Sequence, residues 1–459
     1  MEGTMKKFHN LKLFGLAGVI VLALVFIGIN VVQAQVKTKG KPPGKGKPTK
    51  ITCNNNLICE SGEYKYELPH ESQNCSDCLP KIYESLAIDP GLQIAGANFE
   101  IGKIFQFNFV NFDGANYNYV DTWACDKIED IDFLHPEIGD IDGDGYKEIM
   151  AIATYKYKLG KGKKAPTYYD QKVFIFRDGD DGSLTETSSN IGYSDNYLWQ
   201  TLLADIDSDG DDELILHKFW QTEIYKWDSD SKDFVLKWIE HYKVLCFRVE
   251  VGDADNDKKN ELLIGTCDGK IHVLEYQGED EGGNYIFVGE KTIDSSENYC
   301  IDRIRVKNTD DDIDNEVIVG GNNSLITIWK YNEGEYEQVF QSEDLGGYTE
   351  DFDIGDIDGD NNNEIVVAPV WTQTLYVLEY VEYVEDNNVT GTYEIVDSYK
   401  LMLDGGLKEL STGDFDQDGK DEVVFGGNAD SVYIYRYDDN EFIKVYECVY
   451  GSRGGPRIK

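Results

Sequence analysis

The sequence predicts an all-β fold built by repetition. Three observations carry that reading. A nine-residue acidic pattern recurs six times, at intervals of 48 to 65 residues. Each copy runs directly into a short apolar, β-branched stretch of strand character. The 459-residue chain also holds 30 Tyr, 20 Phe and 7 Trp but only 10 Pro, with no long helical periodicity. Aromatic and β-branched residues suit pleated, half-buried surfaces.

The pattern reads acid, any, acid, any, acid, three variable residues, Glu. Loop 1 is Asp140, Asp142, Asp144 and Glu148, and loop 2 is Asp205, Asp207, Asp209 and Glu213. Loop 3 is Asp253, Asp255, Asp257 and Glu261, and loop 4 is Asn308, Asp310, Asp312 and Glu316. Loop 5 is Asp356, Asp358, Asp360 and Glu364, and loop 6 is Asp414, Asp416, Asp418 and Glu422. Such clusters repel themselves unless a hard cation sits among them, and calcium takes about six to eight oxygens in loops of this kind. The opening also begins an EF-hand, but that motif needs a glutamate at position 12 and flanking helices. Here position 12 is Ala151, Leu216, Ile264, Val319, Val367 and Phe425, none of them a metal ligand. Strand, acidic loop, strand is the better reading.

Segments such as Gly139-Asp-Ile-Asp-Gly-Asp-Gly-Tyr-Lys-Glu148 resemble FG-GAP/VCBS repeats, the calcium-loop repeats of integrin-α-like β-propellers. The resemblance covers roughly residues 82 to 450. It implies a loop between the first and second strands of each blade. It also implies up to six Ca²⁺, bound by side chains at positions 1, 3, 5 and 9 and by a backbone carbonyl at position 7. The position-7 residues are Tyr146, Asp211, Lys259, Asp314, Asn362 and Lys420. Loop 4 opens with Asn308, and loops 3, 4 and 5 carry Lys258, Ile313 and Asn361 where Gly would ease a sharp turn. Full occupancy is therefore expected at loops 1, 2 and 6, occupancy at 3 and 5, and weaker binding at 4.

A period near 50 residues fits a four-stranded blade. Third strands can be counted independently, beginning at Lys103, Lys172, Glu223, Lys270, Leu325, Thr374 and Ser431. That count predicts a seven-bladed β-propeller over 82–450 whose first blade lacks an acidic loop. The tail, 451–459, is read as flexible and too short to add a strand, which leaves ring closure open.

Residues 1–34 carry Lys6 and Lys7, an apolar run from Leu13 to Val32 and a Val32-Gln-Ala34 site. They read as a signal peptide or an N-terminal membrane anchor, and either exports the rest. Residues 35–50 form a Lys/Pro/Gly-rich linker. Residues 51–80, with Cys53, Cys59, Cys75 and Cys78, read as a small disulfide-rich module. Of the later cysteines, Cys246 and Cys300 pair with each other or with Cys267, and at least one thiol stays free. Secretion or a cell-surface location follows.

The net charge is −43, and because residues 1–50 hold nine Lys and one acid, the remainder carries −51. That excludes nucleic acid as a partner, which needs a basic footprint. Counting back five and three residues from each loop gives His135, Gln200, Arg248, Arg303, Asp351 and Glu409, then Glu137, Leu202, Glu250, Arg305, Asp353 and Ser411. Alternation places them on one face, expected to line a polar central channel. No catalytic residues are assigned: the chain has no nucleophile elbow, phosphate loop or H-E-x-x-H motif. The expected role is adhesion or recognition of a surface protein or glycan. The alternatives are a carbohydrate-active enzyme, lyase or glycosidase, and a structural subunit of a surface assembly.

Overall fold

The computed structural model describes residues 85–458 outside short intervening segments, with strand backbone alone before residue 128. The predicted signal or anchor segment, linker and Cys-rich module lie outside the described residues. Among the described residues there is no helix, and none is long and apolar enough to cross a membrane. The strands form seven antiparallel sheets, six of four strands and one of five, each in sequence order. They span residues 85–124, 133–194, 198–241, 246–294, 301–341, 352–400 and 407–458, and are called sheets 1 to 7.

Burial explains the pattern of the sequence. Second strands such as Glu213–Lys218, Glu261–Thr266 and Glu316–Gly321 are buried along their whole length. Both faces of these strands meet neighbouring sheets, so they read as continuous apolar runs rather than alternating ones. Fourth strands such as Asp233–His241 and Glu335–Gln341 are mostly exposed. The hydrophobic cores lie between successive sheets: Ile215, Ile224, Val249 and Leu262 join sheets 3 and 4, and Ile318, Ile328, Ile354 and Ile365 join sheets 5 and 6. Tight hairpins link third to fourth strands. In one, Glu333 and Gly334 take φ of 49° and 100° between the paired residues Asn332 and Glu335, as a two-residue hairpin turn requires.

The first strands follow one another around a ring. That of each sheet neighbours that of the next, and Ser85–Asp89 of sheet 1 also neighbours Leu407–Gly413 of sheet 7. Closure therefore falls to sheet 1. The tail departs from expectation: Arg457–Ile458 pair with Glu441–Val449 as a fifth strand of sheet 7.

Cys267 and Cys300 form a disulfide, while Cys246 is free and buried. Burial pushes the Cys246 thiol up to about 12, so it is inert rather than reactive. The bridge ties the second-to-third-strand turn of sheet 4 to the segment entering sheet 5, closing 33 residues of sequence. Replacing both cysteines by Ser is expected to cost about 3–4 kcal/mol from the loop it closes, read as a lower urea midpoint than the unreduced parent.

Candidate cation-binding loops

All six acidic segments fall between the first and second strands of their sheets, loop 1 in sheet 2 through loop 6 in sheet 7. The position-1 aspartate winds the loop around itself. Its Oδ1 accepts the position-5 amide, as at Asp144 (3.2 Å), Asp209 (3.0 Å) and Asp418 (3.1 Å). Its Oδ2 accepts the position-6 amide at Gly145, Gly210, Lys258, Asn361 and Gly419, at 2.8 to 3.1 Å. Position 6 lies at positive φ in these five loops, including Lys258 and Asn361, both at 72°. Ile313 of loop 4 stays out of that region and is 94% exposed. Loop 4 closes differently: the Asn308 amide donates to the Asp312 carbonyl, and its Oδ1 accepts from the Asp310 amide at 3.1 Å.

The glutamate at position 9 anchors the other end. Glu148, Glu213, Glu261, Glu316, Glu364 and Glu422 are all buried. In each, Oε2 accepts the backbone N–H of position 2 at 2.7 to 3.1 Å. One carboxylate oxygen from Asp140, Asp142 and Glu148 can lie within 4.8 Å of the others, and the same holds for Asp205, Asp207 and Glu213. Asp253, Asp255 and Glu261, Asp310, Asp312 and Glu316, and Asp356, Asp358 and Glu364 form matching triads. Burial pushes Glu148 and Glu213 up to about 7, and Glu261 and Glu364 up to about 8. Several buried oxygens in these triads have no hydrogen-bond donor, among them Asp253 Oδ1, Asp255 Oδ1, Glu261 Oε1 and Glu364 Oε1. A donor set of hard oxygens, buried and short of positive charge, fits a hard divalent cation.

Sequence reading missed one functional position, the eighth, which it treated as variable. Asn260 Nδ2 donates to Asp205 O at 2.7 Å, Asn315 Nδ2 to Asp253 O at 3.0 Å, and Asn363 Nδ2 to Asn308 O at 2.8 Å. The amides of Asp212 and Asp421 reach Asp140 O and Asp356 O, both at 2.7 Å. Each loop from 2 to 6 thus clasps the position-1 carbonyl of the loop before it. A Cβ at Gly139 or Gly355 would collide with the carboxylates of Asp212 and Asp421, which explains Gly there. The signal available was Asp or Asn at position 8 in five copies, against Lys147 in the first, which has no loop before it.

The residues expected to line the channel bond to one another and to the first strands of other sheets. Arg305 donates to Glu250 Oε2 and Asp353 Oδ1, both at 2.7 Å, and Asp353 Oδ2 accepts the Thr412 amide at 3.0 Å. Gln200 makes a two-way contact with the Val249 backbone at 3.0 and 2.9 Å. Arg303 donates to the carbonyls of Phe352 and Leu410 at 3.2 and 3.3 Å, and Arg248 to that of Asp302. Burial lowers Arg303 to about 9 and His135 to about 4. Glu137 accepts from the Thr201 hydroxyl. Asp351 is buried and Ser411 half-buried, while the Glu409 side chain lies outside the described residues. Leu202 is a correction: it packs into the core between sheets 3 and 4.

No family model matches the chain, and no curated protein matches it. Solved structures do. A 6-phosphogluconolactonase-like protein of Bacteroides fragilis is 11% identical with a TM-score of 0.49, covering 80% of this chain and 92% of that one. Saccharomyces cerevisiae Sqt1 is 9% identical with a TM-score of 0.50, covering 83% of this chain and 96% of that one. Both have β-propeller-like folds. The fold is propeller-like. At these identities the likeness concerns fold alone.

Two outcomes follow. The folded pKa of Glu148, Glu213, Glu261 and Glu364 lies above the ordinary 4.5. Their contribution to stability is therefore full below that value and lost as pH rises through 7 to 8. With chelator present, the melting temperature should fall between about pH 5 and about pH 9, and millimolar calcium should flatten that fall by favouring the ionised form. Asn260→Ala, which strands the Asp205 carbonyl, should cost about 1–2 kcal/mol in urea denaturation.

Proposed function

We propose that this chain is an exported, calcium-stabilised, seven-bladed β-propeller of FG-GAP/VCBS type, acting in adhesion or recognition of a surface protein or glycan. The acidic loops and first-strand arginines serve the scaffold, because their charges are spent on one another and on bound Ca²⁺. Function then falls to the opposite end of the sheets. The observation that carries this is a set of exposed aromatics where second strands turn into third strands and where chains enter the next sheet. Trp220 is 44% exposed, Tyr348 42% and Trp371 64%. Trp371 and Gln373 also sit at φ of 79° and 56°, strain that a turn shaped for a ligand tolerates. Exposed rings of this kind stack on sugars or anchor protein interfaces. The Cys267–Cys300 disulfide lies at the same end and suits an oxidising compartment.

Affinity capture from surface fractions, with calcium and with chelator, tests the reading. The parent should retain a discrete protein or glycan only with calcium. Trp220→Ala with Trp371→Ala should lose it while melting within a few degrees of the parent. Equal capture by the double variant would remove the aromatic end from consideration, and shortening of a captured polysaccharide would point to catalysis instead.

A further inference from the structure

Opposite each position-9 glutamate, on the third strand, stands a residue whose charge differs among the copies. Strand register pairs Glu261 with Glu275 and Glu316 with Lys330. One step beyond the pairs Ile149–Phe176, Leu214–Tyr225, Ile365–Leu378 and Val423–Tyr435, the same register sets four more. These are Glu148 against Arg177, Glu213 against Lys226, Glu364 against Glu379, and Glu422 against Arg436. Loops 1, 2, 4 and 6 therefore face a basic side chain fixed to the same sheet. Loops 3 and 5 face one more carboxylate.

Three of these basic side chains enter their loops, and the fourth, Arg436, stands opposite Glu422 and also donates from Nε to Asp438 Oδ2 at 2.6 Å. Lys226 Nζ lies 3.0 Å from Asp207 Oδ2, 2.6 Å from Asp209 Oδ2 and 2.9 Å from Glu213 Oε1. The Tyr285 hydroxyl donates to Asp207 Oδ2 and Glu213 Oε1 at 2.6 and 3.0 Å. Lys330 Nζ touches Asp310, Asp312 and Glu316 in the same way. Arg177 lies 3.1 Å from Asp142 and 3.5 Å from Glu148. In loops 2 and 4 the ammonium thus stands among the position-3, position-5 and position-9 oxygens, where a bound cation would sit. A cation entering there must also evict a partly buried ammonium that is tethered to the fold and loses no translational freedom on binding.

Loops 3 and 5 differ. Glu261 and Glu364 are each 2% exposed, and the Oε1 of each has neither a donor nor an ion-pair partner among the described residues, whereas Glu316 Oε1, also without a hydrogen-bond donor, lies 3.3 Å from Lys330 Nζ. Two lysines do reach the position-5 and position-3 carboxylates of loop 3, Lys259 at Asp257 Oδ2 and Glu275 Oε1 and Lys291 at Asp255 Oδ2, but the position-9 Glu261 is paired with neither.

We propose that loops 3 and 5 are the divalent-cation sites of this chain, completed by Glu275 and Glu379, and that third-strand Arg or Lys replaces the cation in loops 1, 2, 4 and 6. This rests on the reading of the acidic loops as calcium sites. It reverses the ranking that the loop sequences alone suggest, since loops 1, 2 and 6 match the motif best and loops 3 and 5 lack its glycine. The deciding residue lies outside the motif, on a different strand.

Counting bound ions by native mass spectrometry, as calcium chloride is titrated into the full chain, tests the assignment. The parent should hold two Ca²⁺. Glu379→Lys should hold one, and Glu379→Gln should weaken one of the two sites about tenfold or more. Lys226→Glu and Lys330→Glu should each gain one ion. Circular dichroism identifies any variant that fails to fold, and the gain and loss variants test the proposal independently. Six ions on the parent, or counts unmoved by both kinds of variant, would overturn the partition and leave the calcium reading intact. No bound ion at any calcium concentration would overturn both.

Discussion

Six buried glutamates govern this molecule. Each must be buried, because it starts the central strand of its sheet and that strand is covered on both faces. Each must also stay near the loop, because its Oε2 holds the position-2 amide and so fixes how the chain leaves the first strand. A carboxylate in that place needs a positive partner or a proton. The surrounding aspartates add to the demand. The way each loop leaves its first strand is a consequence of how each copy meets it.

The copies meet the demand from different sources, and the sources are ordinary side chains. Arg177, Lys226 and Lys330 bring positive charge from the same sheet. The first-strand ring shows the same economy: Arg305 is shared between carboxylates of the sheets on either side of its own, so charge opposite charge also holds neighbouring sheets together. Ion pairs among the described residues gather at the acidic loops and along the first strands, so part of the charge of −43 is answered where it is densest.

Much of this was legible in the sequence. The acidic repeat marks six of the seven first-to-second-strand loops, and the aromatic and β-branched runs mark the third strands, because a strand's burial is written in its own residues. What was not legible depends on residues far apart in the chain. The position-8 clasp links one loop to the previous one, about 50 residues earlier. The residue facing Glu213 is set by strand register. Counting along alternate positions fails where the register shifts, as between Ile301 and Arg303 or between Cys246 and Arg248. Leu202 falls on the core side for reasons that its own neighbours in sequence do not disclose. The short pairing of Arg457–Ile458 has no periodic signal at all.

The clasps run in one direction and have two ends. Loop 2 holds loop 1, and the series continues to loop 6 holding loop 5. Sheet 1 contributes no acidic loop, so the series stops on either side of it. The clasped run covers sheets 2 to 7, and Ser85–Asp89 completes the ring between Phe133–Gly139 and Leu407–Gly413. Tension applied across sheets 2 to 7 would therefore be handed from loop to loop along the clasped run, in one direction, rather than borne by any one sheet.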